Sequence, residues 1–387
     1  MIVKLKQASK KQSLKPADLP EINFSHIKNL TDDTGIIQHA VFNVPNRKEG
    51  YCIDDNARAL LLSVLACRQT GNNKAQLQLL HTYLSFIHYM QTDSGEFRNF
   101  MSYTKTTTEE RGSEDAFGRT VMALGFLMNE GPSNMFSKTA AMIFSKAYRH
   151  MDELVSIRGI ANTIVGICQY IKYNYPDDIK REMVIKLSEK MVGMYNQNNA
   201  DDWHWFEPVL TYDNAILPLA LLNAYEIAGD ESYLDIAFEA MAFLESKVFH
   251  NGMLSPVGNK GWCERGKKEH AKFDQQGIDA MAMVLYYQQA YRITQEEIFG
   301  PVLTIQSFRT DDEVIEKANN TPFGLSAGVW TDKGSKIFNL TTKLRAGVVW
   351  ANTYNKFDPT SPFGGYKESG YGREGGLHGL APYLNLI

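Results

Sequence analysis

The sequence lacks the segments that direct a protein into or across a membrane. No stretch approaches the roughly 20 consecutive apolar residues that a membrane-spanning helix needs. Residues 1–15 are basic but contain no apolar core of the kind found in a signal peptide. We therefore expect a cytoplasmic protein without a membrane partner.

Strong charge and paired cysteines are also missing. The net charge is −4 and there is no basic run, which argues against nucleic acid as a partner. The four cysteines are scattered without metal-ligand or disulfide spacing, so we expect them to be reduced and mostly buried, with no metal site. They are Cys52, Cys67, Cys168 and Cys263. With 387 residues, the chain is long enough for two domains.

The stretch from residue 50 to residue 60 is the most informative part of the chain. Asp54 and Asp55 stand where a turn becomes an apolar helix, and Arg58 follows one turn later. One carboxylate is enough to cap a helix start, so the pair has two interpretations. It is either a cap with an ion pair, or the polar floor of an active site.

Polar turns of this kind recur three more times before residue 292. Glu114 and Asp115 begin the second, residues 201–215 form the third, and residues 261–276 form the fourth. Helical periodicity occupies the chain between them. The expected helices cover residues 56–68, 77–90, 138–151, 157–173, 179–196, 215–229 and 233–248, with others beginning near 115 and 278.

Helices joined alternately by short and by long polar turns predict paired helices in a ring, with the long turns at one end. The acids and aromatic side chains of those turns would then form one pocket. Stacked rings beside carboxylates suit a sugar, and a pair of carboxyl groups suits glycoside chemistry. The competing interpretation of the tryptophans is a plug that closes a helical bundle. The expected catalytic acids are Asp54, Asp55, Glu114 and Asp213. The expected substrate-binding residues are Tyr51, Arg58, Asp115, Trp203, His204, Trp205, Glu207, Trp262 and Asp274.

Residues 36–292 resemble the α/α-toroid domains of bacterial carbohydrate-active proteins, including those attached to glycosyltransferases. The resemblance is carried by residues 50–60, 113–119, 203–214 and 273–276. It implies a mainly α fold, an (α/α) toroid preceded by a lead-in over residues 1–35. A full toroid of this kind has twelve helices. About nine or ten are found here, so the toroid is expected to be incomplete.

Residues 293–387 resemble the C-terminal part of the aldehyde dehydrogenase superfamily. The motif segments are residues 296–303, 319–330, 347–353 and 361–375. The resemblance implies a small α/β unit with strands over 301–308, 326–330 and 347–351, and helices over 311–319 and 334–343. It also implies that Glu297 and Phe299 are vestigial contacts to a nicotinamide cofactor, and that Phe357 and Phe363 match aromatic positions of the substrate tunnel.

In that family the nucleophilic cysteine, the general-base glutamate and the dinucleotide-binding domain precede this segment, where the present chain has helices instead. We therefore interpret the chain as chimeric, with a tail that is inert by itself and open to self-association. The main expectation is a carbohydrate-active or carbohydrate-binding protein with an oligosaccharide or sugar-containing substrate and no cofactor. Whether it catalyses or only binds stays open. The alternative is an NAD(P)-dependent aldehyde dehydrogenase.

Overall fold

The structure is a computed structural model, which describes residues 23–70, 74–174, 177–251, 253–267, 270–295 and 308–380. The chain divides into two compact units, Met1–Gln289 and Ala290–Ile387. Helices dominate the first unit, and the second combines short helices and strands. No helix within the described residues is both long and apolar enough to cross a bilayer.

Ten helices are described in or across the end of the first unit. They are α1 (Ser25–Leu30), α2 (Ile53–Thr70), α3 (Lys74–Met90), α4 (Glu114–Glu130), α5 (Asn134–Ala147), α6 (Ile157–Tyr173), α7 (Asp178–Asn198), α8 (Ile216–Ala228), α9 (Glu231–Val248) and α10 (Gly277–Gln295). Each of α2–α9 lies close to its expected position. The expected helix over 138–151 differs most, since α5 begins earlier and its end continues as a 3-10 turn over Tyr148–Glu153.

Local signals fix several helix starts. The hydroxyl of Ser113 accepts a hydrogen bond from the backbone N–H of Ala116 at the start of α4, and Ser156 does the same for α6. Asp230 caps α9 through its carboxylate. These side chains satisfy backbone donors that the first helical turn leaves without partners.

Helices α2, α4, α6 and α8 pack in series, each also packs against the helix that follows it, and α4 and α6 make the closest contact. Gly118 and Gly125 on α4 face Gly159 and Gly166 on α6, seven residues apart on each helix. A Cβ atom built on Gly125 would lie 2.4 Å from the carbonyl oxygen of Gly166. The absence of side chains at these positions lets the two backbones touch.

Strands in the first unit are two residues long and form antiparallel pairs. These are β1 (Ala40–Val41) with β2 (Val44–Pro45), β3 (Tyr51–Cys52) with β4 (Phe100–Met101), β5 (Val209–Leu210) with β8 (Cys263–Glu264), and β6 (Phe249–His250) with β7 (Met253–Leu254). The pair β5–β8 joins the third polar turn to the fourth. The pair β3–β4 holds the start of α2 against the loop that precedes α4.

The second unit contains the expected α/β elements. They are α11 (Asp311–Asn319), β9 (Phe323–Gly324), β10 (Ser326–Val329), α12 (Gly334–Lys343), β11 (Val348–Ala351), β12 (Tyr366–Lys367) and α13 (Gly376–Leu380). Strands β10 and β11 are parallel, with Ser326 opposite Val348, and α12 packs on both. The strand expected over 301–308 falls, except for its last residue, outside the described residues, as do Glu297 and Phe299.

The second unit has a small core. Within residues 308–380, the buried apolar side chains are Val329 and Trp350. Around Trp350 lies a group of rings that we call the aromatic cluster, consisting of Trp330, Trp350, Tyr354, Phe357 and Phe363.

Candidate functional site

A cavity of about 590 Å³ opens among the polar turns of the first unit. Its wall combines carboxylates, guanidinium groups, amides and rings. The lining residues are Cys52, Asp54, Arg58, Asn99, Phe100, Ser113, Asp115, Ala116, Arg119, Tyr212, Asn259, Trp262, Gln276 and Ile278. All four polar turns thus contribute to one cavity.

An ion-pair network forms the floor of the cavity. Arg119 Nη1 lies 2.9 Å from Asp54 Oδ1, and Arg119 Nη2 lies 3.4 Å from Asp213 Oδ2. Arg58 pairs with the other oxygen of Asp54 and with Asp55 Oδ1, the latter at 3.2 Å. Although burial acts to lower it, the carboxylates of Asp54 and Asp213 raise the pKa of Arg119. Arg119 therefore keeps its charge and ties α2 and α4 to the turn before α8.

A second group of hydrogen bonds surrounds Asp115. Its carboxylate accepts from the hydroxyl of Ser156 at 2.5 Å and from the hydroxyl of Tyr212. Burial and this bond raise the pKa of Tyr212 to about 12. The Tyr212 ring lies 4.7 Å from the guanidinium carbon of Arg158, and the Trp262 ring centroid lies 6.1 Å from that of Tyr212. Asp115 is thus held by neutral donors next to an aromatic wall.

Two buried carboxylates lie behind the floor. Asp213 is 1% exposed, and burial raises its pKa against the opposing effect of Arg119. Asp279 accepts from the backbone N–H of Asn214 at 3.2 Å. Burial, with a further contribution from the charge of Asp213, raises the pKa of Asp279 to about 6. Burial thus disfavours the charged form of both groups, and the charge of Asp213 adds to this effect at Asp279.

Backbone geometry is unusual at three of the predicted residues. Asp213, Trp262 and Asp274 have φ values of 50°, 49° and 58°. This left-handed region is tolerated by aspartate but costs a bulky residue such as tryptophan on the order of 1 kcal/mol or more. The strained backbone at Trp262 holds its ring at the cavity wall.

Four of the residues predicted from the sequence line the cavity: Asp54, Arg58, Asp115 and Trp262. Asp213 lies behind them, next to Arg119. Asp55 is held at the edge by Arg58, and burial raises its pKa.

The structure places three predicted aromatic residues in the core. Trp203 and Trp205 are buried, and both pack against Phe243, with ring centroids 4.9 Å and 6.3 Å from it. Tyr51 is buried as well, and its hydroxyl donates to Asp32 at 2.6 Å. These rings cannot stack on a ligand in the cavity, so the plug interpretation describes Trp203 and Trp205 better.

The remaining predicted residues make structural contacts elsewhere. Glu114 Oε2 accepts from the backbone N–H groups of Val155 and Ser156, at 2.7 Å and 2.5 Å, ahead of α6. Glu207 pairs with Arg158 at 2.8 Å.

His204 and Asp274 lie nearer the surface. His204 Nδ1 lies 2.9 Å from the side-chain oxygen of Asn199. Asp274 is half-exposed and pairs with Lys260 at 3.0 Å. Neither of them is among the residues that line the cavity.

Sequence reasoning passed over Arg119 and Tyr212 as site residues. The sequence contains a pattern that could have identified each of them. Arg119 follows the acidic pair of the second turn by about one helical turn, and Tyr212 directly precedes Asp213. Asn99 and Asn259 lie in loops without a helical pattern, and nothing in the sequence marks them, whereas Gln276 lies in the fourth polar turn, two residues after Asp274.

All four cysteines are buried. Burial raises the pKa of Cys52 and of Cys168 to about 12, and it raises those of Cys67 and Cys263 as well. A nucleophilic cysteine needs a stabilised thiolate that a substrate can reach. None of these thiols meets that requirement.

The second unit offers the aromatic cluster. The Trp350 ring lies 4.8 Å from Tyr354 and 5.5 Å from Phe357, and the Phe357 ring lies 4.9 Å from Phe363. The indole N–H of Trp350 donates to the backbone oxygen of Lys356 at 2.9 Å. The rings thus form a connected apolar surface carried by the loop after β11.

Comparison with known proteins identifies this second region. Residues 259–386 match the aldehyde dehydrogenase family. The match begins earlier than the resemblance seen in the sequence, within the first unit.

The matched relatives are all much longer than the matched segment. Human retinal dehydrogenase 2 is 53% identical over 95 residues, which cover 24% of this chain and 18% of the relative. Betaine aldehyde dehydrogenase from Bacillus subtilis (strain 168) is 48% identical over 95 residues, covering 24% and 19%. A solved indole-3-acetaldehyde dehydrogenase in complex with NAD+ is 53% identical over 24% of this chain and 19% of its own, with a TM-score of 0.24. The chain spans less than a third of the length of the curated relatives it matches.

These matches overturn two expectations. The prediction of a carbohydrate-active or carbohydrate-binding function is wrong, because the relatives are named aldehyde dehydrogenases; the sugar substrate has no support from them. The prediction of no cofactor is contradicted too, since residues 259–386 match the aldehyde dehydrogenase family. The carbohydrate interpretation relied on tryptophans of the third and fourth polar turns, but Trp203 and Trp205 belong to the core.

The described residues do not fit a dinucleotide by themselves. In the described part of the first unit every strand pair is antiparallel. Strand β3 leads directly into α2, but the first turn of α2 carries Asp54 and Asp55. Two carboxylates at a helix N-terminus repel a pyrophosphate, which needs the positive end of the helix dipole unopposed.

Proposed function

We propose that the second unit serves as the C-terminal part of an NAD(P)-dependent aldehyde dehydrogenase. The 53% identity over 95 residues to human retinal dehydrogenase 2 carries this proposal. Identity of that degree favours retained function over retained fold alone. Glu297 and Phe299, which the resemblance matches to nicotinamide-contacting positions of the family, lie outside the described residues, and their role stays a prediction.

The aromatic cluster has a role in this proposal. Phe357 and Phe363 are in edge-to-face contact and connect through Trp350 to the small buried core. Such rings offer an apolar wall to the hydrocarbon part of an aldehyde and leave its carbonyl group free for chemistry elsewhere. We assign the cluster to substrate binding.

The covalent step must come from outside the described residues. Aldehyde oxidation through a thiohemiacetal requires an accessible thiolate, and burial raises the pKa of every cysteine in this chain. The second unit is therefore proposed to contribute binding surface, and not the nucleophile.

A graft tests this function. Residues 293–387 would replace the matching C-terminal segment of human retinal dehydrogenase 2, and formation of NADH from retinal and from smaller aldehydes would be followed at 340 nm. We expect the hybrid to turn over, and Phe357→Ala in the hybrid to raise KM severalfold with a smaller change in kcat. A hybrid that folds and binds NAD+ but produces no NADH would refute the proposal.

For the first unit we propose the arrangement of an unfinished α/α toroid. In support, α2, α4, α6 and α8 contact one another in series, while each also pairs with the next helix of the chain. The domain limits of 36–292 and 293–387 and the functional roles of the residues around the cavity stay predictions.

A further inference from the structure

We propose that the cavity of the first unit binds an organic cation, in which a primary ammonium group is joined to an apolar or aromatic body. The nitrogen lies on the carboxylate of Asp115, and the body lies against Trp262. This site belongs to the first unit, so the inference does not depend on the function proposed for the second unit.

The cavity carries more carboxylates than guanidinium groups. Among the described residues, the acids that line it or contact its arginines are Asp54, Asp55, Asp115 and Asp213, and those arginines are Arg58 and Arg119. Even with Asp213 protonated and histidine neutral, the remaining acids exceed the two bases by one. A half-buried site of net negative charge favours a cationic ligand.

Asp115 is the acid whose charge is left unmatched. Its two oxygens accept from the hydroxyls of Ser156 and Tyr212, which are neutral donors. Within the described residues no lysine or arginine nitrogen lies within 4.0 Å of either oxygen, whereas each of the other three acids has one at that distance. Arg119 interacts with Asp115 only from farther away. A carboxylate offers about four lone-pair sites, so two of those on Asp115 are left for a ligand N–H group.

Aromatic rings stand beside this carboxylate. Tyr212 and Trp262 both line the cavity and are half-buried, with ring centroids 6.1 Å apart. The Tyr212 ring already lies against the guanidinium carbons of Arg158 and Arg119, at 4.7 Å and 5.7 Å. Trp262 is therefore the ring that a ligand meets, and an indole face is the strongest aromatic partner for a cation.

An unpartnered acceptor lies under the same floor. Asp213 Oδ1 has no hydrogen-bond partner within the described residues, and only 2% of the Asp213 side chain is exposed. Asp213 lines a recess of about 10 Å³, whose wall shares Arg58, Arg119 and Ile278 with the cavity. Arg119 Nε also lacks an acceptor, but both terminal nitrogens of that guanidinium are paired with carboxylates. The acceptors of the floor are thus not saturated, which favours a ligand that donates N–H bonds.

The volume of the cavity sets the size of the ligand. At about 590 Å³, the cavity falls within the range of small-molecule sites and is far larger than a bare metal ion. No group of three or more histidine, cysteine or acidic side chains among the described residues is arranged to hold a metal. The amides of Asn99, Asn259 and Gln276 line the cavity and offer hydrogen bonds to polar groups on the body of the ligand. A cation with a carbon skeleton therefore fits better than a metal ion.

Isothermal titration calorimetry of the full chain with two matched probes tests the inference. Phenethylamine and phenethyl alcohol share a skeleton, and at neutral pH the first ends in an ammonium group and the second in a neutral hydroxyl. We expect the amine to bind at least tenfold more tightly than the alcohol. Its affinity should fall when NaCl is raised from about 0.05 M to about 0.5 M, because salt screens the ion pair.

Variants locate the binding. Asp115→Asn removes the charge and keeps the size of the side chain, so it should weaken binding of the amine at least tenfold and change that of the alcohol less than twofold. The matched control is Asp235→Asn, the same change at an exposed residue of α9 that does not line the cavity, and it should leave amine binding unchanged. Trp262→Leu should weaken amine binding severalfold, and it places the ligand in the cavity even if Asp115→Asn does not fold.

Four results would overturn the inference. Equal affinity for the amine and the alcohol would make the site a neutral one. Tighter binding of phenylacetate than of phenethylamine would place an anion on Arg58 and Arg119 instead. Equal weakening of amine binding by Asp115→Asn and Asp235→Asn would mean attraction to the charged surface alone. A dissociation constant above about 10 mM for the amine would remove this ligand class from the cavity.

Discussion

Replacing Gly125 by alanine places a methyl group where α4 and α6 are already in backbone contact. The new Cβ would lie 2.4 Å from the carbonyl oxygen of Gly166 and 2.8 Å from its Cα atom. Because the obstructing atoms belong to a helix backbone, no side-chain rotation relieves the clash. The helices must separate by about 1 Å to restore van der Waals distances.

Two effects of opposite sign set the expected free-energy change. Overpacking of this kind costs about 1–3 kcal/mol. The gain in helix propensity from glycine to alanine returns about 1 kcal/mol. Since the contact is rigid and repeated at Gly118 and Gly159, we expect the cost to fall at its upper end, and a net loss of about 2 kcal/mol in the free energy of unfolding.

Urea denaturation followed by circular dichroism at 222 nm measures the change, because helices of the first unit dominate that signal. Gly193→Ala is the control. Gly193 lies within α7, and nothing lies within 4 Å of a Cβ built there, so the substitution should stabilise by about 0.5–1 kcal/mol. If Gly125→Ala stabilises as much as Gly193→Ala does, the close contact between α4 and α6 is not real.

The remaining predictions concern pH, thiols and proteolysis. Because the pKa of Asp279 is raised to about 6, the folded state holds its proton more tightly than the unfolded state, and stability falls as pH rises from about 4 to 6. Asp279→Asn should reduce this loss in the free energy of unfolding by about 1–3 kcal/mol. An equal dependence of the free energy of unfolding on pH in both proteins would contradict this. Cys67, Cys168 and Cys263 are buried and do not line the cavity, so a thiol reagent should label none of these three quickly in the native protein and all of them in urea; fast labelling without urea would contradict their burial. With its small core, the second unit should be digested before the first under limited proteolysis, and equal protection of both, with one cooperative melting transition, would show a shared core.

Local patterns in the sequence were sufficient to predict the helices and some of the residues that line the cavity. Helix α6 occupies the predicted residues because an apolar periodicity is preceded by a serine cap. Asp54, Arg58 and Asp115 were found because an acidic pair at a helix start followed by arginine is a local arrangement.

Packing between distant elements could not be predicted from such patterns. The sequence around a loop tryptophan does not show whether its ring faces a cavity or the core. Only the structure shows that Trp203 packs against Phe243 and that Trp262 lines the cavity. Asp213 is buried and pairs with Arg119, which lies 94 residues away in the chain. The resemblance of the C-terminal region to aldehyde dehydrogenases was visible in its motifs, and the family match over residues 259–386 confirms it.

The ion pairs of Arg119 have a consequence for the order of folding. Arg119 meets Asp54 across 65 residues and Asp213 across 94, so both contacts close long loops. Closing a long loop costs more chain entropy than pairing two helices that are adjacent in the sequence. The bridge therefore forms late, after the helical hairpins between its partners. Its loss should speed unfolding while leaving the folding rate nearly unchanged, so the bridge slows the separation of α2 and α4 from the turn before α8.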